Sequence, residues 1–134
     1  MAASSQYLAE AFLAYMLQNP TTPIAKPATV YVALCTTIPT STTPGTEVTG
    51  GSYARVAVTT SSTNFTVATD VATSGIAITF PAATASWGTV VAYQFYDAAT
   101  AGNPLFYGTL TTSQTISTGA TPSFAAGQLT ITMN

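Results

Sequence analysis

The chain has 134 residues and only six charged side chains, two basic and four acidic, with no His and a net charge of −2. A soluble domain of ordinary composition is about a quarter charged. The six are Glu10, Lys26, Glu47, Arg55, Asp70 and Asp97, and 28 Thr with 11 Ser supply hydroxyls where charges usually stand. This removes most of the equipment of catalysis, nucleic-acid binding and metal binding at once, and leaves a protein that acts as a shape and a surface.

The length fits one domain with its own core, divided at its N-terminal end into a helix and Pro-rich arm over residues 1–27 and a β domain over 28–134. Hydrophobic residues make up 47% of the chain, so the low charge does not mean disorder, which pairs low hydrophobicity with high net charge. No apolar run approaches the ~20 residues that a membrane-crossing helix needs. The start, Met1-Ala2-Ala3-Ser4-Ser5, lacks the positive region of a secretory signal, and Glu10 interrupts the apolar stretch after it; the expectation is a chain made in a cytoplasm, with no membrane partner. Cys35 is the single Cys, so an intrachain disulfide is excluded. Within Val32-Ala33-Leu34-Cys35-Thr36 it reads as a small apolar strand residue.

The first element expected is a helix over residues 5–18. Leu8, Ala11, Phe12, Tyr15 and Met16 recur at i, i+3, i+4, i+7 and i+8, which places them on one stripe. Ser4 or Ser5 serves as N-cap, and Asn19-Pro20 ends the helix because Pro disfavours helical geometry at the residue before it. The stripe either packs on its own domain or docks on another chain. Pro20, Pro23 and Pro27 then make residues 19–27 an extended, semi-rigid arm able to span nearly 30 Å at about 3.1 Å per residue.

From Thr29 onward the pattern becomes one of strands. Residues 29–34 are β-branched and aromatic, and a long loop over 37–52 ends in Gly50-Gly51; such loops are usually functional or mobile. Strands are expected at 53–59, 65–67 and 75–80, the last stopped by Pro81. The longest is expected at 89–96, with a turn over 97–104 that brings 105–110 back as its hairpin partner. Segments 114–117 and 128–133 close the series. About seven or eight short strands, with turn signals every 8–15 residues and no helix between them, predict a mainly β fold: an antiparallel sandwich or barrel carrying an N-terminal helix and a Pro-rich arm.

The chemistry of sites is mostly missing. A nucleophilic Ser normally needs a base, and there is no His to serve. Glu47 and Asp97 are the carboxylates left to consider as a hydrolytic pair, and nothing local supports them. Zinc has no ligand set, calcium no dense acidic loop, and Gly50-Gly51 is not followed by the Lys-Ser or Lys-Thr of a phosphate cradle. Two cations make no basic stripe for nucleic acid. The neighbouring aromatics Phe95-Tyr96 and Phe106-Tyr107 read as core more readily than as a stacking platform. No enzyme activity, cofactor or metal is expected. One charged constellation stands out, Glu47 with Arg55 across the flexible Gly pair. It forms either a salt bridge that fixes the loop, with Asp97 as the rival partner, or a contact in which Arg55 reaches another subunit.

These residues also carry a resemblance. Tyr31-Val32-Ala33-Leu34-Cys35-Thr36-Thr37, Glu47-Val48-Thr49-Gly50-Gly51-Ser52-Tyr53-Ala54-Arg55, Thr79-Phe80-Pro81-Ala82-Ala83-Thr84-Ala85-Ser86-Trp87-Gly88, Tyr96-Asp97-Ala98-Ala99-Thr100-Ala101-Gly102-Asn103 and Leu105-Phe106-Tyr107-Gly108 follow in an order that resembles a family of small structural proteins of tailed bacteriophages. Its members are often labelled tail fibre proteins, and some are similar to the cement, or decoration, proteins on the outside of the capsid. The resemblance covers roughly residues 29–134 and implies a protein of the virion. The leading expectation is a capsid cement protein that binds the major capsid protein of the assembled head, as a trimer or another small cyclic oligomer. The alternative is a tail fibre or baseplate component that binds a host glycan. On the cement reading the helix stripe Leu8, Phe12, Tyr15 and Met16 and the 37–52 loop, with Glu47 and Arg55 as further interface candidates, are expected to contact other subunits or the shell. On the alternative, exposed aromatics and Thr-rich loops would face the glycan.

Overall fold

A computed structural model describes residues 2–21 and 24–133. Thr22 and Pro23 of the Pro-rich arm lie outside the described residues. The elements in chain order are β1 (Ala2–Ser4), α1 (Gln6–Leu17), β2 (Thr29–Cys35), β3 (Val56–Thr59), β4 (Phe65–Ala68), β5 (Val71–Ser74), β6 (Ile78–Thr79), β7 (Gly88–Tyr96), β8 (Pro104–Ile116), β9 (Ser123–Phe124) and β10 (Thr130–Thr132). The protein is thus mainly β with one helix near its N-terminus, as its composition and turn spacing predict.

Eight strands join in one sheet in the order β3-β2-β7-β8-β1-β10-β5-β4, and β6 pairs with β9 separately. The pairings are antiparallel except where Ala2 of β1 lies parallel to Ile131 of β10. The two edge strands, β3 and β4, are consecutive in sequence, so the short connection over 60–64 brings opposite edges of the sheet together and curls it on itself. Phe65 of β4 meets Phe95 of β7 edge-on at 6.3 Å across the interior.

The alternation of side chains decides what fills that interior. Val30, Val32 and Leu34 of β2 point inward and join Val58, Val90, Tyr93, Phe95, Leu105, Ile116, Leu129 and Ile131 in one apolar cluster. The β6–β9 pair closes the cluster with Ile78, Phe80 and Phe124, the last packing edge-on against Tyr93 at 5.9 Å. Ala33 and Cys35 face the other side of β2 and are nevertheless fully buried. The 37–52 segment covers Cys35. Far from being a loose loop, it is sewn to the end of β2: Thr36 N–H donates to Thr46 O at 2.8 Å, Val48 N–H to Leu34 O at 3.0 Å, and Cys35 bridges Glu47.

Three strands escape sequence patterning. β1 is Ala-Ala-Ser, without apolar alternation, and is a strand because it fills the slot between β8 and β10. β5 follows β4 through a turn at Thr69-Asp70, in which Thr69 has φ 59° and no Gly marks it. β9 is two residues long. The segments expected at 105–110 and 114–117 are one strand, β8, whose pairing with β7 jumps from Gln114 to Thr109 opposite Val90 and Ala92. Residues 110–113 bulge out of the pair there, which explains why the sequence pattern breaks. Tyr53-Ala54-Arg55, expected in a strand, instead lead into β3, and the 75–80 strand shrinks to two residues.

α1 begins at Ser5, whose Oγ accepts from Leu8 N–H at 3.2 Å, and ends at Gln18 before Asn19 turns to φ 48°. The expected helix is there. Of the expected stripe, Leu8 packs against the core and Phe12, Tyr15 and Met16 are exposed; α1 has no buried residue.

Candidate functional site

The six sequence-selected residues fall into two places. Glu47 and Arg55 meet beside the end of β2, whereas Leu8, Phe12, Tyr15 and Met16 lie on α1.

Arg55 Nε donates to Glu47 Oε2 at 2.6 Å, with 7% of the Arg side chain and 26% of the Glu side chain exposed. Its Nη1 donates to Ala98 O and Ala101 O, both at 2.8 Å, and its Cζ stands 3.7 Å from the centroid of the Tyr96 ring. One guanidinium therefore ties the 37–52 segment, the end of β7 and the β7–β8 turn. A planar cation with five donors suits this role better than an ammonium would. Asp97, the rival partner, is engaged elsewhere. Its carboxylate accepts from Asn103 N–H at 2.7 Å and from Asn103 Nδ2 at 3.0 Å, shaping its own turn.

Behind the ion pair lies a second polar centre. Gln94 Oε1 accepts from Gly45 N–H at 3.1 Å, from Tyr96 Oη–H at 3.2 Å and from Cys35 Sγ–H at 3.4 Å. Burial pushes the Cys35 thiol up to about 12, Glu47 adding to the rise and Arg55 opposing it. Burial also raises Tyr53 and Tyr96 above the usual phenol range. A buried neutral thiol is a poor nucleophile, and the nearest carboxylate is held by Arg55. This cluster can hold a loop in place.

The two longest sequence signatures prove to be one unit. Gly51 O accepts from Trp87 Nε1 at 2.9 Å and from Thr84 N–H at 3.0 Å, and the hydroxyls of Ser52 and Thr84 bond at 2.9 Å. Tyr53 meets Trp87 edge-on at 5.3 Å and stacks on Phe80 at 6.3 Å. Gly51 has φ 56°, and a Cβ there would lie 2.8 Å from Trp87 Nε1. Spacing along the chain could not reveal that the Gly pair and the Trp serve each other.

This lock between residues 50–53 and 80–87 accounts for the specificity of the two signatures, and the comparison with known families agrees with them. A family model described as podophage GP4 fiber I protein gp80 matches residues 3–132. The chain belongs to that fibre I protein family. The match takes in α1 and the arm as well as the β body, a wider span than the resemblance read from residues 29–134. Among curated proteins, the comparison finds no match to this chain.

Within this fibre I family member, the surface differs sharply from the Arg55 cluster. Phe95 and Tyr96 are buried, and Phe106 and Tyr107 are partly so, so the paired aromatics belong to the body. The exposed aromatic rings, Tyr7, Phe12 and Tyr15, all lie on α1, where Leu13, Met16 and Leu17 are exposed too. Among the described residues, no three His, Cys, Asp or Glu side chains gather to hold a metal, and no helix is long and apolar enough to cross a membrane.

Proposed function

We propose that this chain is a non-enzymatic structural subunit of the phage tail fibre, which works by non-covalent assembly. The observation that carries the reading is the family match over residues 3–132, with the word fiber in its description. The arrangement of the charges supports it. Glu47 and Arg55 neutralise each other, Asp97 holds a turn, and the buried thiol is neutral, so the polar side chains of the body maintain its shape. The word fiber in that description leans toward the tail, so the tail fibre reading is proposed ahead of the capsid cement reading.

Copy number tests this. Quantitative densitometry of purified particles should give a small number of copies beside the major capsid protein. Abundance approaching that of the capsid protein would overturn the tail assignment and restore the cement reading, in which binding to the assembled shell stabilises it by mass action. A labelled particle image should place the protein at the tail in the first case and over the head in the second.

A further inference from the structure

The helix that carries most of the expected contact residues has no fully buried residue and packs only Leu8 against its own core. α1 has 12 residues, and helices of that length are marginal in water unless an apolar face packs against something. Yet Phe12, Leu13, Tyr15, Met16 and Leu17 are exposed, Met16 at 61% and Leu17 at 78%. With Tyr7 they leave on the order of 600 Å² of side-chain surface in water, close to the ~800 Å² per partner of a standard protein interface. So much exposed apolar surface, spread around most of one short helix, marks an interaction site.

The helix is also held out rather than trailing. At its root Ser5 N–H donates to Leu105 O at 2.8 Å and Gln6 N–H to Ser41 O at 2.7 Å. At the far end of the arm Thr60 Oγ1 donates to Pro27 O at 2.9 Å, and Lys26 Nζ donates to Thr60 Oγ1 at 3.0 Å. The N-terminal end of the helix being tied to the β body, part of its ordering cost is met before any partner arrives.

Charge says what the partner is. α1 carries no cation and one anion, Glu10, which accepts from Gln6 Nε2 within the helix. An acidic partner surface would be desolvated against it without gaining an ion pair, and a basic one could pair with Glu10 alone, a carboxylate already engaged by Gln6. The complementary surface is apolar, uncharged and of the same size, and α1 of another copy is such a surface. We propose that α1 is the self-association surface of this chain, packing against α1 of neighbouring copies. Because its apolar side chains extend well beyond one stripe, each helix can take a neighbour on two sides, which suits a closed cyclic oligomer. This holds whether the particle carries the protein at the tail or at the head, so its failure and that of the fibre reading are separable.

The test uses the full chain. Light scattering after size exclusion should give a concentration-dependent oligomer at about 100 μM, and the double variant Phe12→Ser/Met16→Ser should weaken it about tenfold or more. The melting of the β body should persist in that variant, since neither side chain reaches the core. Oxidation of a Met16→Cys variant should link copies through the new thiol, the native Cys35 being buried. A monomeric wild type, or an oligomer indifferent to the double variant, overturns the proposal. So does a helix seated in the apolar hollow of about 350 Å³ lined in part by Phe65, Val67, Phe106 and Met133; there Met16→Cys links to Val67→Cys and not to itself.

Discussion

Arg55 is one of two cations in the chain, and its surroundings make its removal costly in a way that a surface arginine is not. Arg55→Ala leaves Glu47 beside a buried thiol without its counter-charge, frees the carbonyls of Ala98 and Ala101, and strips one face of Tyr96. Breaking such a pair from one side costs about 3–5 kcal/mol when fully buried, so about 2–4 kcal/mol is expected here, where Glu47 keeps some contact with water. Glu47→Gln retains an acceptor for Arg55 Nε and should cost less than half as much. Thermal melting of the two variants checks the order, and equal losses would mean that the carboxylate charge is immaterial. Cys35 and the raised tyrosines give a second expectation. Their folded forms hold protons that the unfolded chain releases, so the stabilisation is complete below about pH 9, the ordinary thiol value, and drains away toward pH 12. Denaturant midpoints should therefore be level from pH 7 to 8 and fall steadily above pH 9. Thiol labelling of the folded protein at pH 8 should be far slower than in denaturant.

Among elements, β1 and α1 share one anchor, and Ser5 is where it acts. Its side chain caps α1 and donates to Pro104 O, joining the helix to the first residue of β8. Ser5→Ala should cost about 1–2 kcal/mol and lower the helical signal in circular dichroism at 222 nm. A loss of stability with the helical signal intact would locate the effect in β8 instead. The helix was legible because i, i+4 spacing and Asn19-Pro20 are local signals. β2, β7 and the start of β8 were legible because β-branched and aromatic runs alternate, the last two over a clear Asp97-to-Asn103 turn. β1 was not, since Ala2-Ala3-Ser4 is a strand only by virtue of the slot that two distant strands leave. β5 was hidden by a turn that uses Thr69 in a left-handed conformation where Gly would have marked it. At the Arg55 cluster, the sequence supplied the right pair and left Asp97 as a rival. The choice between them depends on how far the 37–52 segment folds back, and Gln94, the common acceptor for three segments, has no local pattern that would single it out.

For the whole molecule, the scarcity of charge acquires a location. The β body keeps its edges short, four residues in β3 and four in β4, which limits edge-to-edge pairing without gatekeeper charges. Its apolar exposure is concentrated on α1 instead. Among the described residues Glu47–Arg55 is the one salt bridge, and it lies inside the body, where salt screens it weakly. Assembly should then depend on apolar contact rather than on ion pairs. Raising NaCl from about 0.05 to 0.5 M shortens the screening length roughly threefold, and the oligomer should hold or tighten across that range. Sulfate should tighten it further, since excluded salts strengthen apolar burial. Sedimentation across both salt series reads this directly. A steep loss of oligomer in NaCl would mean that the few exposed charges, Glu10, Lys26 and Asp70 among them, carry the contact. The apolar side chains of α1 would then be exposed for some other partner.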